Sequence, residues 1–206
     1  MSNHQIVILA NSVKHHQHCV AGKTVNTHHY HWVRPVSDEQ GCELTHEQAK
    51  CQNPHGKFNV KPLQKVTIGI ARHVPLINQP ENYLIDGSTW QQNYRIDENE
   101  LVNYLDKPSD IWGTGDRVNF HLIQSGQLSI QQSLYLIKVE ELYLFVNNYN
   151  KRRACFIYNG SNYELAVTDP NFDNIISNSP ELKNILCISL GEEFEGYCFK
   201  LIATIF

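Results

Sequence analysis

The chain has 206 residues, 41% of them hydrophobic and 18% charged, which is enough to bury one large core or two small ones and excludes a disordered chain. A net charge of -4 argues against holding DNA by indiscriminate phosphate neutralisation, and no apolar run approaches the roughly 20 residues that span a bilayer. The opening MSNHQIVILANS has neither the basic head nor the cleavage site of a signal peptide, which predicts a cytoplasmic protein with its six cysteines reduced.

Gln5 to Ala10 (QIVILA) is a continuous β-branched run that predicts a buried strand, closed by a turn at Asn11-Ser12. Cys19 to Lys23 is a short apolar step, and His31 to Val36 (HWVRPV) reads as a second strand whose Pro35 requires an edge position or a strand end. Residues 38 to 58 are polar and turn-rich, whereas Lys65 to Arg72 alternates with period two and predicts a third strand. Ile96, Leu101 and Leu105 predict a short amphipathic helix over Asp97 to Asp106, ended by Pro108. Seven further strands are predicted: Arg117 to Ile123, Ser133 to Val139, Tyr143 to Val146, Cys155 to Tyr158, Tyr163 to Thr168, Leu186 to Leu190 and Tyr197 to Phe206. Asn159-Gly160 marks a hairpin turn between the fourth and fifth of these. This is a mainly β chain, and two small barrels or one irregular sandwich would accommodate it.

Charge is uneven along it. Residues 1 to 85 carry eight Lys/Arg against five Asp/Glu, while residues 86 to 206 carry nine against sixteen. Nine of the eleven histidines fall in the first 55 residues, so an anionic ligand is expected on the first half.

Catalytic motifs are missing: there is no Gly-x-Ser-x-Gly elbow, no phosphate-binding loop and no dinucleotide fingerprint. His15-His16-Gln17-His18-Cys19 and His28-His29-Tyr30-His31 invite a metal reading, and Cys42, His46, Cys51 and His55 offer four ligands within fourteen residues. The gap between those two Cys-His pairs is shorter than the usual spacer, so no metal or other cofactor is expected. Asp169, Ser189 and Lys200 could line a hydrolytic or nucleotide-modifying pocket, but no ordered triad is visible. A binding module is favoured over an enzyme. Basic residues interleaved with rings suit a single-stranded nucleic acid or a nucleotide: Lys151, Arg152 and Arg153 precede Phe156 and Tyr158, and Trp32 precedes Arg34. Lys23 and Lys200 add weight to an anion site, and a protein partner docked on the strands is the alternative.

An ordered series of short motifs runs through nearly the whole sequence: Ile6 to Ser12 (IVILANS), Cys19 to Lys23 (CVAGK), Trp32 to Ser37 (WVRPVS), Gln79 to Asn82 (QPEN) and Trp90. It continues with Ser133 to Ile137 (SLYLI), Arg153 with Phe156 and Tyr158, Tyr163 to Asp169 (YELAVTD), Ser189 to Phe194 (SLGEEF) and Lys200 to Ala203 (KLIA). Together they resemble the bacterial dual OB-containing domain. The resemblance implies two OB-like β-barrels in tandem; the change of texture over residues 86–112, read as a short helical connection, sets them at about residues 1–85 and 113–206. It further implies nucleic-acid or nucleotide recognition in bacterial conflict or anti-phage systems. The ligand is then expected against Lys23, Trp32 and Arg34 on the first barrel, Trp90 on the helical connection, and Arg152, Arg153, Tyr158, Asp169 and Lys200 on the second barrel.

Overall fold

The opening β-branched run does not stop at Asn11-Ser12. In the computed structural model, which describes residues 2–14, 17–25, 30–178 and 180–206, it is the middle of β1 (Ser2–Lys14). This strand is long because it serves two partners. Ser2 to Val7 pairs antiparallel with β6 (Gln64–His73), and Ile6 to Lys14 pairs with β2 (Gln17–Thr24). Asn11 stays extended because its side chain finds partners across the sheet: Nδ2 donates to the Val60 carbonyl at 2.6 Å and Oδ1 lies 2.9 Å from His18 Nδ1. A register shift between Ile8 and Ala10 bends the strand from one partner toward the other.

β3 (Trp32–Val36) continues antiparallel to β2 and then runs parallel to β7 (Asn82–Ile85), which pairs back onto β6. The path β1-β2-β3-β7-β6-β1 is therefore a closed five-stranded barrel with the strand order of an OB fold. Pro35 sits beyond the last β2–β3 pair, at Gly22 and Val33, so its missing N–H interrupts no ladder on that side. Between β3 and β6 the polar stretch read as loop forms a hairpin, β4 (Lys50–Asn53) and β5 (Gly56–Asn59). β8 (Trp90–Arg95) then pairs with both β6 and β4. The barrel interior is filled by Ile6, Ile8, Val20, Val33, Val66, Ile68 and Trp90. After β8 the expected α-helix is a 3-10 helix, Glu98–Tyr104. Its start is fixed reciprocally, with Asp97 Oδ1 accepting from Asn99 N–H and Glu100 Oε1 accepting from Asp97 N–H.

Two compact units result, Met1–Tyr104 and Leu105–Phe206, and residues 86–112 are divided between them. In the second unit the strand expected from Arg117 stops after three residues. β9 (Arg117–Asn119) gives way to α1 (Phe120–Gln124) because the Asn119 side chain accepts from His121 N–H and caps a helix. β10 (Leu134–Lys138) and β11 (Glu140–Val146) follow, separated only by Val139. Next come β12 (Arg152–Tyr158), β13 (Ser161–Val167), α2 (Phe172–Asn178), β14 (Ile185–Phe194) and β15 (Tyr197–Ile205). β10 pairs with β14 and β11 with β12, as the two halves of β1 pair with β6 and β2. β13 runs parallel to β15, as β3 does to β7. The second unit thus repeats the OB path, with α2 in the slot where the first has the β4–β5 hairpin. Asn159 and Gly160, with φ of 48° and 73°, make the predicted tight turn between β12 and β13. Among the described residues no helix is long and apolar enough to cross a membrane.

Candidate functional site

Strand alternation assigns each candidate residue to a face of its barrel. In the first unit Ile6, Ile8, Val20 and Val33 point inward, so Val7, Lys23, Trp32 and Arg34 share the outer face of β1, β2 and β3. That is the face on which OB folds hold oligonucleotides, but here it is buried: Lys23 is 3% exposed, Trp32 5% and Arg34 8%. Lys23 Nζ donates to the Tyr104 carbonyl at 2.7 Å and lies 5.0 Å from the Trp32 ring centre. Tyr30 packs against Tyr104 with ring centres 4.6 Å apart, and burial pushes the Tyr104 phenol up to about 12. Arg34 lies 3.7 Å from the Glu81 carboxylate. Trp90, expected on the helical connection, instead opens β8 and fills the first barrel's core at 1% exposure.

The second-unit candidates divide in two. Lys200 faces the interior and reaches a loop, donating to the Gly113 and Thr114 carbonyls at 2.7 and 3.1 Å. Burial pulls its ammonium down to about 8. Asp169 is buried, and its carboxylate accepts from the backbone N–H of Asn171 at 2.7 Å and of Ile205 at 2.8 Å. Burial raises this acid while those hydrogen bonds oppose the shift. Arg152 ties the same corner together, donating to the Asp169 carbonyl and to Asp173 Oδ2 at 2.5 Å, with its guanidinium over the Phe172 ring. Tyr158 is a core ring whose hydroxyl donates to the Pro108 carbonyl at 2.8 Å. Ser189 pairs with Leu201 and Leu190 with Lys200, which puts Ser189 and Lys200 on opposite faces of the sheet. Asp169, Ser189 and Lys200 therefore do not converge on one pocket.

The possible metal ligands are also apart. Cys51 is fully buried in the first barrel's core, where desolvation raises its thiol, while Cys42 is exposed. Among the described residues no three His, Cys, Asp or Glu side chains gather around a common point. His15, His16, His28 and His29 lie outside the described residues.

One candidate, Arg153, stands on an open OB face. In the second unit Ala154, Phe156, Tyr163 and Leu165 fill the core, so Arg153 and Cys155 of β12 point outward, as does Glu164 of β13. Pairing places Tyr143 opposite Cys155 and Phe145 opposite Arg153 on the same outer face. The Tyr143 and Phe145 rings stack with centres 5.7 Å apart and planes 19° apart, and Tyr143 is 66% exposed. Arg153 Nε donates to Glu164 Oε1 at 2.9 Å and NH2 to the Glu164 carbonyl, which hold the guanidinium flat on the sheet. The β11–β12 loop continues this surface with Tyr149, 83% exposed, and Lys151. Asn147 Oδ1 shapes that loop by accepting from the N–H groups of Tyr149 and Lys151.

A model of the dual OB-containing domain matches residues 4–205, nearly the whole chain. The chain belongs to the dual OB-containing domain family. The two barrels traced strand by strand are thus the two OB units of that family. No curated protein matches the chain. A solved chain described as the tetrameric p202 HIN2 aligns over 100% of this chain and 93% of its own at 10% identity, with a TM-score of 0.36.

Within this dual OB chain, the open face was only partly visible in the sequence. Tyr143 to Val146 was predicted as a strand, yet YLFV is apolar on both faces, so alternation could not separate the core-directed Leu144 from the outward Tyr143 and Phe145. Tyr149 had a signal: a ring inside an Asn-rich turn has no core to fill.

Proposed function

We propose that this protein is a single-stranded nucleic-acid-binding module whose ligand lies across the outer face of the second OB unit. The carrying observation is the exposed Tyr143–Phe145 stack beside Arg153, on the strands that OB folds use for oligonucleotides. A base has an apolar π-face and a phosphate on a short tether, so it needs a ring to stack on and a cation within reach. Tyr143, Phe145 and Tyr149 supply the rings. Lys151 and Arg153 supply the charge, and because Glu164 already occupies Arg153 Nε, stacking contributes more than charge on this face. A role in a bacterial conflict or anti-phage system is part of the same proposal, and its support is the family resemblance.

A protein partner is the second reading, favoured by the β14–β15 hairpin. Its tip exposes Phe194, at 62%, among Glu192, Glu193 and Glu195, an acidic and aromatic surface that repels nucleic acid.

Fluorescence anisotropy of a labelled fifteen-nucleotide dT or rU strand with the full chain at low salt tests the first reading. Tyr143→Ala and Tyr149→Ala should each weaken binding by about 5- to 150-fold, the range for losing one stacked base. No binding to either strand, or binding indifferent to both substitutions, overturns it and leaves the acidic hairpin as the surface to pursue.

A further inference from the structure

The β4–β5 hairpin fills the slot between the third and fourth OB strands, where the second unit has only α2, so closing the barrel does not require a hairpin. What it adds is a charged cleft. Lys50 pairs with Asn59 across the hairpin, and Lys57 sits two residues along from Asn59, so Lys50, Lys57 and Asn59 share one face. Lys61 follows just past the end of β5. Together with His46 and Phe58 these residues line a cleft of about 450 Å³, within the size range of small-molecule sites. Asn59 Nδ2 lies 3.1 Å from His46 Nδ1, and His46 Nδ1 lies 3.2 Å from His18 Nε2, so the histidine wall is anchored to a buried ring. Phe58 pairs with Cys51 and so leaves the hairpin on the face opposite Lys57 and Asn59; it borders the same cleft and is 50% exposed.

Three lysines lining one cleft repel one another, and Glu47 is a counter-ion to two of them. The Glu47 carboxylate is paired with Lys50 and lies 3.9 Å from Lys57, while Lys61 has no ion pair among the described residues. Those lysines hold the Glu47 carboxyl below the usual carboxylate range. The Glu47 side chain is 69% exposed and so is free to swing into solvent. The cleft is then a cation cluster covered by a movable carboxylate, with room for a larger anion and an exposed ring at its border.

We propose that this cleft binds a nucleoside phosphate: Lys50, Lys57 and Lys61 take the phosphate oxygens in place of Glu47, and the base reaches the border of the cleft, where Phe58 is exposed. An ammonium is a point donor that suits phosphate of any orientation, and a displaceable internal carboxylate sets a threshold that a singly charged anion does not pass. The phosphate could belong to a free nucleotide or to the end of a nucleic-acid strand. The cleft is built from residues of the first unit alone, and the proposal does not rest on the stacked face of the second.

Isothermal titration of the full chain with ADP and with inorganic pyrophosphate, at low salt and without divalent metal, tests the assignment. Lys57→Glu and Lys61→Ala should each weaken both ligands by about tenfold, and Glu47→Gln should tighten both by about threefold. Phe58→Ala should weaken ADP by about fivefold and leave pyrophosphate unchanged, which separates the ring from the cations. Because Glu47→Gln predicts a gain, a misfolded variant cannot imitate success. Competition between a fifteen-nucleotide dT strand and ADP, lost in Lys61→Ala, assigns the phosphate to a strand; ADP binding without competition assigns it to a free nucleotide. No heat with either ligand, or affinities unmoved by Lys57→Glu and Glu47→Gln, overturns the proposal. Tyr143→Ala should leave ADP affinity unchanged, so failure here and failure of the second-unit reading are told apart.

Discussion

A lysine taken out of water needs oxygen around its ammonium, and Lys200 finds it in two backbone carbonyls rather than in a carboxylate. Asp110 and Asp116 attract it from further off, but desolvation dominates and brings the group from its usual 10.5 to about 8. The sign of the consequence follows. Below pH 8 both the folded and unfolded chains carry the proton and the burial cost is present in full. Between pH 8 and 10.5 the unfolded chain holds a proton that the folded chain has released, so stability rises with pH across that window. Relative to Lys200→Met, the wild type should gain on the order of 2 kcal/mol between pH 8 and 10, read as the difference between urea midpoints multiplied by the slope. Tyrosines and cysteines titrating in both proteins cancel in that difference. A flat difference curve would show that the ammonium is not desolvated.

At the scale of elements, barrel closure depends on how closely β1 and β2 approach. Gly22 sits where both β1 and β3 pair with β2, and a Cβ there would lie 2.2 Å from the Val7 carbonyl oxygen. Because the obstruction is backbone, no rotamer relieves it. Gly22→Ala should cost about 3 kcal/mol or more in a thermal or urea melt, and a variant as stable as the wild type would mean the strands have slack. Most strands were legible because period-two alternation and β-branched runs mark a buried face, as in Lys65 to Arg72. Elements that earn their structure from partners elsewhere were not. The β4–β5 hairpin is polar because β5 lies at a sheet edge, and β7 and β8 are short strands held by β6. The strand expected through Ile123 was cut short by a single side-chain cap at Asn119. The candidate residues show the same division. Lys23, Trp32 and Arg34 do share the outer OB face, but sequence gives a face and not its exposure, and all three are buried.

For the whole molecule, charge decides how a nucleic acid would be held. Residues 1–104 carry nine Lys/Arg and nine Asp/Glu, and residues 105–206 carry eight and twelve, so neither unit attracts phosphate through its net field. The basic first half and acidic second half read from residues 1 to 85 and 86 to 206 therefore soften to a neutral unit and an acidic one, because the acids at Asp86, Asp97, Glu98 and Glu100 belong to the first. Binding on the Tyr143 face must then rest on local contacts: three rings and two cations, Lys151 and Arg153. For single strands each neutralised phosphate contributes about -0.7 to the slope of log K against log salt, so two contacts predict a slope of about -1.4. Affinity should fall about sevenfold from 50 to 200 mM salt, far less than for a protein that tracks the backbone. Replacing Lys151 with Ala should flatten the slope by about 0.7, while Tyr143→Ala should lower affinity at every salt concentration and leave the slope as it was. A slope steeper than about -3 would instead require four or more phosphate contacts, more than this face has cations to make, and would move the interface away from it.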